Sequence, residues 1–145
     1  MIGLLQRVSQ GRVVIDSQCR AEIGPGLVVL VGVQPQDDEQ KAQRLLQRLL
    51  GYRVFPDPGG RMNLSLQDMG GGLLLVPQFT LAADTRKGMR PGFSTAADPE
   101  TGAKLFAYLT ELAQQQYHCV ACGVFGADMQ IELVNDGPVT FWIET

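Results

Sequence analysis

The stretch LVNDGPVTFW, residues 133–142, decides how this sequence is parsed into a sheet. It opens on an apolar, strand-like run and leads into a second one, VTFWIET. Asn135-Asp136-Gly137 between them is ordinary hairpin chemistry. Pro138 is not, because it removes a backbone donor where a hairpin would use one. The sequence therefore predicts two strands, near 129–134 and 139–143, on either side of a Gly-Pro pair that a simple turn does not require.

Working outward, residues 119–125 predict a further strand, and the segment before them changes period. Asp98-Pro99 marks a helix start with proline at the first helical position, and Leu105, Phe106, Leu109, Leu112 and Ala113 form its apolar face. A long polar loop, AADTRKGMRPGFSTAA (82–97), leads into it. A loop of that size in a compact domain is more often functional than idle. LLLVPQFTL (73–81) reads as a strand entered from the glycine turn at 70–72, and YRVF (52–55) as a short strand before the turn PDPGGR. An earlier helix has Asp37 as cap, Gln40 three residues on, Ala42, Leu45, Leu46, Leu49 and Leu50 at helical spacing, and Gly51 as its stop. Residues 2–8 and 12–15 read as strands joined at Ser9-Gln10-Gly11, and 27–33 as a buried strand after the turn at 24–26. Many strands and two helices, with no repeat or linker, predict an α/β chain of the α+β-like kind. Residues 1–145 are expected to form one domain, a mixed, largely antiparallel sheet packed with two main helices.

Apolar residues make up 45% and charged ones 19%, which places the chain among folding sequences. A net charge of −3 argues against coating DNA or RNA through a broad basic face, and leaves room for gripping only the tip of an RNA. MIGLLQRVSQGR lacks an apolar core of signal-peptide length, since Gln6 and Arg7 interrupt it, and the run at 27–33 is far too short to span a bilayer. The expectation is a cytoplasmic protein with no membrane partner. Three cysteines, an odd number, do not make a disulfide framework.

The usual catalytic kits are missing. His118, the sole histidine, sits at a helix exit beside Tyr117, where a solvated or capping histidine is the ordinary case. Cys119 and Cys122 precede strand-like sequence, and residues three apart on a strand point to opposite faces, so a redox or metal pair is disfavoured. The glycines at 70–72 lack the lysine of a phosphate loop. Asp84, Asp128 and Asp136 are scattered and read as turn or cap residues. Arg86, Lys87 and Arg90 share one loop, either solvated or holding phosphates.

Two segments carry more. VPQFTLAADTRKGMRPGFS (76–94) and GADMQIELVNDGPVTFW (126–142) closely resemble the two signature regions of bacterial-type D-aminoacyl-tRNA deacylases. IGLLQRV (2–8), DDEQKAQRLLQRLLGYRVF (37–55) and MNLSL (62–66) extend the likeness along nearly the whole chain. The resemblance implies hydrolysis of the ester joining a D-amino acid to tRNA, with L-esters spared and the achiral glycyl ester also open to cleavage. It implies a homodimer acting on the acceptor end of an aminoacyl-tRNA, without cofactor or metal. It implies that Gly137-Pro138 is a cis pair reaching from one subunit into the pocket of the other. A fixed main-chain carbonyl beside Cα favours one enantiomer by accepting from its ammonium group, and obstructs a side chain on the wrong side. Backbone suits this task because the pocket must accept many side chains.

The same resemblance assigns Gln78, Phe79 and Thr80 to the catalytic site. The N–H groups around Phe79 and Thr80 face the developing oxyanion, and a ribose hydroxyl of the substrate helps activate or position water. Thr80 positions the substrate and does not attack it, since no base is visible to activate it. Met129 meets the terminal adenosine, Arg7 braces the Gly-Pro loop, and Arg86, Lys87 and Arg90 meet acceptor-end phosphates. The chain departs from the family pattern at Pro77 and Gly92, where serine is common, and at Val124, where arginine is common. Pro77 has neither hydroxyl nor N–H to offer, and an anchoring contact from an arginine at 124 is absent. Rival readings are an esterase without handedness, a non-catalytic binder of nucleotides or RNA ends using the same pocket, and a distant metal or redox protein built on Cys119 and Cys122.

Overall fold

A computed structural model of residues 1–145 shows first that the opening stretch does not turn back on itself. Gln130–Glu144 is one strand, β8, and Ile2–Ile15 is likewise one strand, β1. They run antiparallel along their whole lengths, from Ile2 opposite Glu144 to Val14 opposite Gln130. The predicted breaks at Ser9-Gln10-Gly11 and at Asn135–Pro138 are instead irregularities in one ladder. Gln6 faces Thr140 but Val8 faces Asn135, so Asp136–Val139 loop out opposite Arg7. The strand continues because β1 supplies partners on both sides of the bulge, a cue that lies more than a hundred residues away.

β1 pairs on its other side with β3 (Gly26–Gly32) along its first half and with β2 (Gln18–Ile23) along its second. The sequence reading missed β2. Its hairpin turn is Asp16-Ser17, both with positive φ, without the glycine that usually advertises such a turn. The remaining strands of the six-stranded sheet, β6 (Gly72–Pro77) and β7 (Val120–Cys122), lie parallel to β3. β4 (Phe55–Pro56) and β5 (Met62–Leu64) form a separate small hairpin, so the strand predicted at 52–55 begins three residues later. At the β3–β6 contact a Cβ on Gly26 would sit only 2.0 Å from the carbonyl oxygen of Gly72. Only glycine allows that approach.

Three helices complete the fold: α1 (Glu39–Gly51), the short α2 (Leu66–Met69) and α3 (Pro99–Gln116). α1 and α3 are the two main helices expected. Asp38, not Asp37, caps α1 by accepting from the Lys41 N–H. Asp37 is buried one residue earlier and pairs with the Met1 amine at 2.6 Å. α2, the helix not foreseen, is four residues long and closed by a Ser65–Asp68 capping box.

Alternation along the strands divides the core. Leu5, Leu27, Val29, Leu73 and Leu75 meet Leu45, Leu46 and Leu49 of α1 and Leu105 and Leu109 of α3. Val28, Leu74 and Val76 point the other way and pack with Val8, Val13 and Ile23. Leu45 is fully buried in the first cluster. Leu45→Ala is expected to cost about 2–5 kcal/mol, read as a lower urea midpoint at unchanged m-value. No helix is long and apolar enough to cross a membrane.

Candidate active site

β3 and β6 run parallel and end side by side, and a crevice opens beyond their carboxyl ends. That is the usual place for a ligand on parallel strands. The cavity there has a volume of about 480 Å³, within the range of small-molecule sites. Val31 comes from β3 and Val33 from just beyond it, Val76 and Pro77 from β6, Ala97 and Asp98 from the entry to α3, and Pro99, Gly102 and Phe106 from its first turns. Phe125–Met129 and Ile131 close the remaining side.

Three of the residues expected at the site lie in this wall: Gln78, Phe79 and Met129. The strand predicted over 73–81 stops at Pro77, and Phe79–Ala82 form a single 3-10 turn. The ladder survives the proline because the Gln78 N–H donates to the Val31 carbonyl at 2.7 Å. The first N–H groups of such a turn have no partner inside it, which leaves those of Phe79 and Thr80 available to an incoming oxygen. Thr80 lies just outside the cavity lining, and its Oγ1 accepts from the Gln78 amide. An amide N–H cannot take up a proton, so this contact orients the hydroxyl without activating it.

Met129 is held by its sulfur. The Val124 N–H donates to Sδ at 3.4 Å, and Gly123 lies beneath, where a Cβ would come within 2.9 Å of that sulfur. The contact uses main chain at Val124, so it does not depend on the side chain there. Asp98, Gly102, Phe106, Phe125 and Asp128 also line the cavity, and sequence reasoning did not place them there. Asp98 was legible only as a cap. It accepts from the Thr101 N–H, and that bond holds its carboxyl below the usual range. The wall thus carries two carboxylates and no cation, which suits a neutral or cationic group inside and keeps phosphates out.

Arg86, Lys87 and Arg90 sit in the loop that leaves the 3-10 turn, outside the cavity lining. Arg86 forks onto Asp84 at 2.8 and 2.9 Å. Those bonds pull the Asp84 pKa down to about 2 from its ordinary 3.8. A depressed carboxylate contributes stability above its unfolded pKa and loses it as pH falls through the folded value. The fork should therefore persist at pH 4 and open only toward pH 2, as an NMR titration of the Asp84 side chain will report.

Arg7, Gly137 and Pro138 do not line this chain's own cavity. They meet at the β8 bulge. The Gly137-Pro138 peptide is cis and Gly137 has φ of +128°. Arg7 is nearly buried; its Nε donates to the Asp136 carbonyl at 3.0 Å and its Nη1 to the Val54 carbonyl at 2.7 Å. His118 is exposed against Tyr117 and lies away from the cavity. Cys119 is exposed, and Cys122, half-buried against the core, has its thiol pKa raised by burial.

A family model described as D-Tyr-tRNA(Tyr) deacylase matches residues 4–144. The chain belongs to that family. Proteins of Alkalilimnicola ehrlichii and Pseudomonas putida named D-aminoacyl-tRNA deacylase are each 61% identical over 144 residues, covering 99% of this chain and 96% and 99% of theirs. A Salmonella agona protein of the same name is 56% identical over 99% of both chains. Among solved structures, one described as c-Myc DNA Unwinding Element Binding Protein superposes with a TM-score of 0.96 at 32% identity, over 100% of this chain and 99% of that one. Another, a probable eukaryotic D-amino acid tRNA deacylase, has a TM-score of 0.86 at 17% identity over 99% and 98%, a likeness of fold. Pro77 lines the cavity, and Val124 adjoins Phe125, which lines it too.

Proposed function

We propose that this protein hydrolyses the ester of D-aminoacyl-tRNA and releases free D-amino acid and tRNA. Membership of a deacylase family supports an enzyme of the ester-hydrolase kind, and the cavity supports its orientation. The terminal adenosine enters the apolar, cation-free cavity near Met129. The ester then lies at the 3-10 turn, where the N–H groups of Phe79 and Thr80 receive the developing oxyanion. Thr80 and Gln78 hold the ester in place, and a ribose hydroxyl of the substrate positions the attacking water.

Selection of the hand falls to Gly137 and Pro138 of a second subunit, whose main-chain carbonyls accept from the substrate ammonium and obstruct an L side chain. A glycyl ester, with no side chain to obstruct, is cleaved as well. The observation that carries the dimer is β8. It pairs only with β1, so its other edge is open along a long strand, and Val134 and Trp142 stand half-exposed on it. Long open edges with apolar residues are ones that proteins cover. Lys87 and Arg90 are left free to meet acceptor-end phosphates, a task that belongs to the cytoplasm, where charged tRNA is found.

The test is deacylation of D-tyrosyl-tRNA and L-tyrosyl-tRNA under single-turnover conditions. The D-ester is expected to be cleaved at least about a hundredfold faster. Equal rates point to an esterase without handedness, and binding without turnover points to a non-catalytic binder of RNA ends.

A further inference from the structure

Phe79 and Phe93 stand side by side at the cavity mouth, ring centroids 5.2 Å apart and planes tilted by 53°. Phe79 is part of the cavity wall and Phe93 is not. Both remain open to solvent, at 55% and 46% exposure. Hydrogen bonds hold the backbone of this loop in place. Gly92, next to Phe93, exchanges two hydrogen bonds with Asp84, at 2.8 and 2.9 Å. Thr95 Oγ1 donates to the Ala82 carbonyl at 2.6 Å, and the Ala97 N–H donates to the Val33 carbonyl at 2.9 Å. The return limb of the loop is therefore pinned on both sides of Phe93, and the two rings form an open platform of faces inclined by 53°. In the same loop Arg86 is taken by Asp84, while Lys87 and Arg90 enter no ion pair. Open aromatic faces beside unpaired cations are what hold single-stranded nucleic acid, the rings by stacking on bases and the cations along the backbone.

Resting on the reading that the cavity takes the terminal adenosine, we infer that Phe93 stacks the base of the nucleotide before it, a cytidine in tRNA, with Phe79 against the edge of that base. The cavity, at about 480 Å³, has room for one nucleoside and its ester but not for a second nucleotide. Its wall carries carboxylates and no cation, so the phosphate linking the two nucleotides leaves through the mouth, where the pair stands. Stacking tolerates any base. The platform thus contributes grip on an RNA end without choosing among tRNAs.

Three esters of D-tyrosine test this: on adenosine, on cytidylyl-adenosine, and on that dinucleotide with an abasic sugar in place of cytidine. Wild-type protein should show a KM for the cytidylyl ester roughly tenfold below the other two. Phe93→Ala should erase that difference while leaving kcat/KM on the adenosine ester unchanged. Phe93→Tyr should retain it, and Phe93→Leu, apolar but without a ring, should not. Equal losses on all three esters in Phe93→Ala would make Phe93 a prop for Phe79 and overturn the inference. So would a wild-type protein indifferent to the missing base. Wild-type protein that cleaves none of the D-esters would overturn the deacylase reading itself, and this inference with it.

Discussion

Gly137→Ala is expected to lose about a hundredfold in kcat/KM on D-aminoacyl-tRNA while remaining folded. At φ of +128° any side chain is strained, and a Cβ there would lie 2.7 Å from Val139 Cγ2 and 2.9 Å from Arg7 Nη2. One neighbour is the next turn of the bulge and the other is a guanidinium already tied to two carbonyls, so the bulge itself must shift. A misplacement of about 1 Å in a positioning element is enough for a loss of that size. The fold should survive, because β1 and β8 pair on both sides of the looped-out residues. Steady-state kinetics beside a thermal melt separate the two effects. The L-ester should lose less than the D-ester, so the ratio of D to L rates should fall.

Arg7→Met has the second large effect, and it falls on stability as well as rate. The arginine closes the space between the bulge and the chain at Val54 through two charge-assisted bonds to main-chain oxygens, at 3.0 and 2.7 Å. Methionine fills much of the stem's volume but leaves both carbonyls without their donors. Hydrogen bonds to charged groups contribute about 1.5–3 kcal/mol each, so a loss of roughly 3 kcal/mol or more in urea unfolding is expected. Asp136→Asn is the control. Its carboxylate meets Arg7 at 3.2 Å but is 58% exposed, and exposed ion pairs contribute little. Asparagine keeps the main-chain carbonyl that Arg7 uses, so that variant should melt close to wild type.

The local rules read from the sequence were strongest where structure is local. The apolar faces of α1 and α3, the Asp98-Pro99 start and the buried strand at 27–33 all follow from periodicity and capping. They failed where the deciding partner is distant. Asn135–Pro138 looks like a hairpin to any rule that sees ten residues, and becomes a bulge only because β1 continues opposite it. β2 was hidden by a turn of two non-glycine residues with positive φ. The site divides in the same way. Gln78, Phe79 and Met129 lie in motifs that resemblance could mark. Asp128 lies inside the second motif without being singled out by it; Asp98 at the cap of α3, Gly102 and Phe106 on α3, and Phe125 before β8 reach the cavity through topology alone. Nothing in their own sequence neighbourhoods distinguishes a cap from a cavity wall.

The central claim is that one subunit's Gly137 and Pro138 complete the other subunit's cavity. Mixed dimers test it most directly. Gly137→Ala spoils the bulge. Gly102→Leu spoils the cavity, since Gly102 lines it and a Cβ there already reaches Phe125 at 3.2 Å. Each variant alone should be nearly inactive on D-tyrosyl-tRNA. Co-refolded in equal amounts, half of the dimers carry one of each, and in those dimers one site joins an intact cavity to an intact bulge from the other chain. Activity should return to about a quarter of wild type. If bulge and cavity serve the same chain, no such site forms, and a mixture no more active than its two parents would contradict the account.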